Sequence, residues 1–124
     1  MATRYWISPI SSNWNDTANW SDTSGGSGGF SVPGSSDAVI LNSGGVGTCV
    51  LDMDISVASI DKQASHSGSF DSSGYNGIVA GNCTFTLNFI SSNVRNWTIG
   101  GNLSMGTTTD HASIFTCSGN VTFT

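Results

Sequence analysis

The chain has 124 residues, only 9% of them charged; all eight acids are Asp, the bases are Arg4, Lys62 and Arg95, and the net charge is -5. Three bases cannot line a groove that tracks phosphates, which argues against nucleic-acid binding, and no apolar run reaches the roughly 20 residues of a membrane-spanning helix. Ser, Thr, Gly and Asn supply about half of the chain, a composition poor in helix formers that points to an all-β fold.

Residues 1–45 carry three of the four Trp, Trp6, Trp14 and Trp20, and both prolines, Pro9 and Pro33. The opening residues lack the apolar stretch of a secretory signal. The segment Asn13-Trp14-Asn15-Asp16-Thr17-Ala18-Asn19-Trp20 sets two Trp among turn formers. Ser24-Gly25-Gly26-Ser27-Gly28-Gly29 reads as a flexible loop, and Ser31-Val32-Pro33-Gly34 as a turn. Asp37-Ala38-Val39-Ile40-Leu41 reads as a short buried strand. Trp is mostly buried in folded chains, so residues 1–45 read first as a cap. Trp6, Trp14 and Trp20 are also the candidates for a partner or glycan contact, because indoles stack on sugar rings.

Residues 46–124 turn to repetition. Val79-Ala80-Gly81-Asn82-Cys83-Thr84-Phe85-Thr86, Ile99-Gly100-Gly101-Asn102-Leu103-Ser104-Met105-Gly106 and Cys117-Ser118-Gly119-Asn120-Val121-Thr122-Phe123-Thr124 share one template. A weaker copy, Val57-Ala58-Ser59-Ile60-Asp61, puts Ile60 in the place of Cys83. A period of about 18–20 residues suits one coil of a β-solenoid, that is, a parallel β-helix. Side chains alternate along a strand, so Cys83, Leu103 and Val121 form one inner ladder. Phe85, Met105 and Phe123 form a second, and Val79, Ile99 and Cys117 a third. Thr84, Ser104 and Thr122 face outward. The Gly-Asn pairs are expected at corners, in left-handed backbone. A β-sandwich or jelly roll, with strands every 8–12 residues, is the alternative architecture.

Residues with chemistry are few. Asp52 and Asp54 share one face of a strand; a carboxylate pair can hydrolyse glycosides, but at a coil edge the two read as a guard against stray strand pairing. Asp110-His111 and His66 read as loop residues. Cys49, Cys83 and Cys117 are odd in number and lack C-x-x-C spacing, so they read as buried free thiols rather than as a disulfide set or a zinc site. No catalytic residue, metal site or cofactor is expected.

The N-terminal stretch, Arg4-Tyr5-Trp6-Ile7 through Trp14-Asn15-Asp16-Thr17-Ala18-Asn19-Trp20-Ser21 to Val32-Pro33-Gly34 and Asp37-Ala38-Val39-Ile40, resembles a segment near the start of bacteriophage virion proteins: tail-fibre, head-fibre and capsid-decorating proteins. Similar Trp-rich openings precede the repeats of some bacterial surface adhesins. The Gly-Asn-x-Thr coils resemble the β-solenoid stalks of both groups. The resemblance implies a structural, non-enzymatic virion component, with residues 1–45 attaching to the particle and residues 46–124 projecting. It implies other virion proteins as partners, a homo-oligomer with a trimer favoured, a host-surface glycan as a further partner, and assembly in the host cytoplasm. The alternative it implies is a secreted adhesin or carbohydrate-binding module at the bacterial surface. Ending at Val121-Thr122-Phe123-Thr124 within a repeat, the sequence is expected to continue in a longer fibre or to be covered by a partner subunit.

Overall fold

The computed structural model describes residues 2–90, 96–108 and 114–123. The chain winds into a β-solenoid of about four turns. Its coils have three faces. The first stacks β1 (Thr3–Trp6), β4 (Ala38–Leu41), β7 (Ser59–Lys62), the start of β10 (Cys83–Ile90), β12 (Leu103–Thr108) and β14 (Val121–Phe123), all in parallel. The second stacks β2 (Ser12–Asn13), β5 (Cys49–Val50), β8 (Phe70–Asp71) and the end of β10. The third stacks β6 (Ile55–Val57), β9 (Gly77–Val79), β11 (Asn96–Ile99) and β13 (Ile114–Cys117). β3 (Trp20–Ser21) lies antiparallel on β1, outside the parallel stack. The strands are parallel and pair one coil apart, which replaces the sandwich alternative with the solenoid.

The register reproduces the sequence ladders. Ile60, Cys83, Leu103 and Val121 are successive partners on the first face, and Phe85, Met105 and Phe123 run two residues further on. Val57, Val79, Ile99 and Cys117 are successive partners on the third. Coil length varies: Val39, Ile60, Cys83, Leu103 and Val121 are 21, 23, 20 and 18 residues apart. The three cysteines stand on three different faces, so their equal spacing of 34 is not the coil period. The boundary expected at residue 45 falls inside a continuous ladder, because β1 and β4 are themselves rungs of the first face.

The corners correct the expected role of Gly-Asn. Among the described residues positive φ occurs at Ser73, Asn88, Gly25, Gly29 and Gly74, and at none of the Gly-Asn pairs. The asparagines instead build a ladder. The Asn102 backbone N–H donates to Asn82 Oδ1 at 2.9 Å, and the Asn120 N–H donates to Asn102 Oδ1 at 2.9 Å. Glycine makes room for it: a Cβ on Gly101 would lie 2.5 Å from Asn82 Oδ1. Each Asn thus satisfies the next coil's amide where the strand ladder breaks, and each Gly lets the side chain below reach it. A second ladder precedes the third face, with the Asn76 N–H donating to Asp54 Oδ1 at 2.9 Å and the Asn96 N–H to Asn76 Oδ1 at 3.0 Å.

Aromatic rings fill the interior as a connected column. Trp6 packs edge-on against Trp20, Trp20 against Trp14, and Trp14 against Phe70, with centroids 5.3, 4.8 and 6.2 Å apart. Phe70 continues to Phe85, Phe89 and Trp97, and Phe89 and Trp97 reach Phe115. Edge-to-face geometry at these distances suits the ring quadrupole. Gly77 is required here: a Cβ there would meet the Trp97 ring at 2.5 Å. Cys83, Phe85, Leu103 and Met105 are buried as expected. Val121 and Phe123 hold the register but are 47% and 74% exposed. The only strand paired with β14 among the described residues is β12, so no layer covers these two side chains from the other side.

Candidate functional site

The three N-terminal indoles do not form a surface. Trp6, Trp14 and Trp20 are all 0% exposed, so no ring face is open to a sugar, and a glycan-stacking role for them is corrected to core packing. The fold explains why. The excursion from residue 14 to residue 37 doubles back as β3 on the edge of β1, and the Trp20 ring packs edge-on against both Trp6 and Trp14. The Trp20 Nε1–H donates to the Trp14 carbonyl at 2.8 Å. Asp16 caps the 3-10 turn Thr17–Asn19 by accepting from the Ala18 N–H at 2.9 Å, and the Asn19 Nδ2–H donates to the Asn13 carbonyl at 2.9 Å. The Gly/Ser stretch is laid on this cap, not free of it: the Gly29 N–H donates to the Thr17 carbonyl at 2.9 Å, and the Ser24 hydroxyl to Asn42 Oδ1 at 3.0 Å. Outside it, Arg4 donates to the Ser31 carbonyl and hydroxyl at 2.9 Å each, and its guanidinium lies over the Phe30 ring.

Asp52 and Asp54 are exposed and serve the corners in opposite directions. Asp52 Oδ1 accepts from the Asn15 N–H of the coil before, and Asp54 Oδ1 from the Asn76 N–H of the coil after, each at 2.9 Å. Asp110-His111 lies outside the described residues. All three thiols are free; Cys49 and Cys83 are buried and Cys117 is half-buried. Burial pushes the Cys83 thiol pKa up; burial and then the nearby Asp52 and Asp71 push Cys49 up. Buried thiols so shifted stay protonated and unreactive. Among the described residues, no three His, Cys, Asp or Glu side chains group as metal ligands.

The site with the least ordinary chemistry is one that the sequence motifs pass over. Alternation from Ile60 puts Lys62 inward, and β7 stacks it in the column between Leu41 and Phe85. Lys62 is fully buried, and its ammonium donates to the His66 carbonyl at 2.9 Å. His66, also fully buried, bonds through Nε2 to the Gly47 carbonyl at 2.9 Å. That same carbonyl accepts from the Trp6 Nε1–H at 2.9 Å. A carbonyl only accepts, so Nε2 carries the hydrogen and Nδ1 carries the lone pair; Nδ1 has no hydrogen-bond partner. Burial lowers the Lys62 pKa to about 8. For His66, burial and then the adjacent Lys62 outweigh the bond to Gly47 and lower the pKa to about 4. His66 is a loop residue, as the sequence reads, and its side chain fills the interior of the corner. The signal for Lys62 was available, since it occupies in its coil the place that Phe85 occupies in the next.

This node joins the first three coils, through Trp6, Gly47 and the Lys62–His66 turn. Sealed from solvent, it offers no route for a substrate; what it can do is titrate. No protein-family model, curated protein or solved structure matches the chain.

Proposed function

We propose that the chain is a structural, non-enzymatic component of a bacteriophage particle: a tail or head fibre, a spike or a capsid-decorating protein. The observation that carries this reading is the continuous parallel pairing of the first-face strands from β1 to β14. Each coil bonds to its neighbour along a single axis, the construction of a stiff shaft assembled from local contacts. Its outer positions include the neutral hydroxyl ladder Thr84, Ser104 and Thr122, which suits a projecting surface. The resemblance of the Trp-rich opening to those of virion proteins supplies the setting. Other virion proteins are then the partners, a homotrimer is the favoured assembly, and the virion is the location. Assembly in the host cytoplasm is compatible with three free thiols. The adhesin reading draws no support from Trp14 and Trp20, whose rings are buried.

The test is immunogold electron microscopy of purified phage particles and of bacterial envelopes, using an antibody raised against the folded chain. Label at a defined tail or capsid position is the expected result. Label confined to the bacterial envelope overturns the proposal in favour of the adhesin. Sedimentation of the purified chain tests the trimer separately.

A further inference from the structure

The Lys62–His66 node ties the N-terminal cap to the coils beyond it, and every N–H of the His66 ring has an acceptor only while His66 is neutral. We propose that it is an acid-sensitive latch: a proton added at His66 Nδ1 places an imidazolium beside the Lys62 ammonium inside the core, and the cap opens.

The geometry leaves no other way to accommodate that proton. Nε2 already donates to the Gly47 carbonyl, so the proton must go to Nδ1, which has no partner. Among the described residues, no carboxylate faces the node. β1 contributes Trp6, β4 Leu41, β10 Phe85, and the 42–48 corner the Gly47 carbonyl. Of the nearby charges, Asp61 accepts from Gln63 Nε2, and Arg4 lies outside over Phe30. Asp52, Asp54 and Asp71 each accept from a backbone N–H at the other corners. Two like charges without a counter-ion in an apolar interior are strongly disfavoured. Opening relieves them: the Gly47 carbonyl that holds the His66 ring also holds the Trp6 indole of the cap, so release of His66 loosens the shared acceptor on which the cap's first rung rests.

The sign follows from linkage. The folded pKa of His66 is lowered to about 4 from an ordinary 6.5. The stabilising effect of neutral burial is therefore complete above about pH 6.5 and lost as pH falls from there toward 4. At pH 5 the open form gains about twentyfold relative to pH 7.

Hydrogen exchange of the full chain at pH 7 and pH 5, corrected for intrinsic rates and read by mass spectrometry, tests this. Expected is a gain of about twentyfold in opening for peptides within residues 3–21, with little change in peptides within 96–123, and its absence in His66→Gln. Equal protection at both pH values overturns the latch, and so does a gain that spreads evenly over the chain. A gain that persists in His66→Gln also overturns it, because the proton then acts elsewhere than at His66. If His66→Gln does not fold, nitrogen NMR of the wild-type imidazoles decides. A His66 ring that takes up its proton over the pH range in which the cap opens supports the latch; a ring that stays neutral while the cap opens sinks it.

Discussion

The two ends of the solenoid use the same inward columns in opposite ways. At one end the first-face column starts with Trp6, wholly buried beneath Trp20; at the other it reaches Phe123, 74% exposed. Yet β14 keeps its register on β12 as faithfully as β4 keeps its own on β7. Burial is therefore not what sets the register of the β14 coil. Strand alternation and the Asn82–Asn102–Asn120 ladder do so, and the aromatic column adds stability where it is enclosed. At the capped end, by contrast, the column is enclosed and the packed indoles hold it.

If this contrast is right, substitutions at the two ends differ sharply in cost. Trp20→Ala removes the ring that bridges Trp6 and Trp14 and should cost about 3–5 kcal/mol, as large-to-small aromatic substitutions in cores do; denaturant unfolding reads it directly. Next comes the buried amine. Because the folded Lys62 pKa is lowered to about 8 from 10.5, its contribution to stability is complete above about pH 10.5 and lost as pH falls through 8. Lys62→Met should raise stability at pH 7 by an amount on the order of 3 kcal/mol, with the advantage shrinking toward pH 10.5; an advantage constant with pH would place the lysine in water. Gly77→Ala drives a methyl group into the Trp97 ring and should cost about 1–3 kcal/mol, the range for overpacking, with the midpoint of thermal unfolding as readout. Asn102→Ala deprives the Asn120 N–H of its acceptor and should cost about 1 kcal/mol, with faster exchange of that amide. Smallest is Phe123→Ser, which should stay within about 0.5 kcal/mol of wild type, as exposed substitutions do. A larger loss would show that this residue is covered in solution.

Much of this fold can be read from residue order. Gly-Asn followed by alternating Cys-Thr-Phe, Leu-Ser-Met and Val-Thr-Phe predicts the parallel rungs, and the structure pairs them as Cys83–Leu103–Val121 and Phe85–Met105–Phe123. Two things were hidden. The first was why glycine precedes asparagine: backbone preference suggested left-handed φ, but the cause is the reach of one coil's amide past the next coil's Cα, which is a contact between residues 20 apart. The second was the interior of residues 1–70. Trp6, Gly47 and His66 meet across separations of 41 and 19 residues, and corners of unequal length leave no period to align. Lys62 was legible by alternation alone, but a charged residue reads as surface until its column is known. Trp14 and Trp20 read first as part of a cap and second as stacking candidates, and the return of β3 onto β1 accompanies their burial.

The pairing of β1 with β4 also bears on how the chain finds its fold. Thr3 meets Ala38 across 35 residues, whereas Leu103 meets Val121 across 18. Loop-closure entropy grows only logarithmically, so this doubling costs about 0.6 kcal/mol, far less than one buried indole returns. A long detour between adjacent rungs is therefore thermodynamically cheap, and its burden is kinetic: contacts between distant residues form slowly. The coils at residues 79–123 are thus expected to zip first from their local pairings, with the tryptophan cap closing on them last.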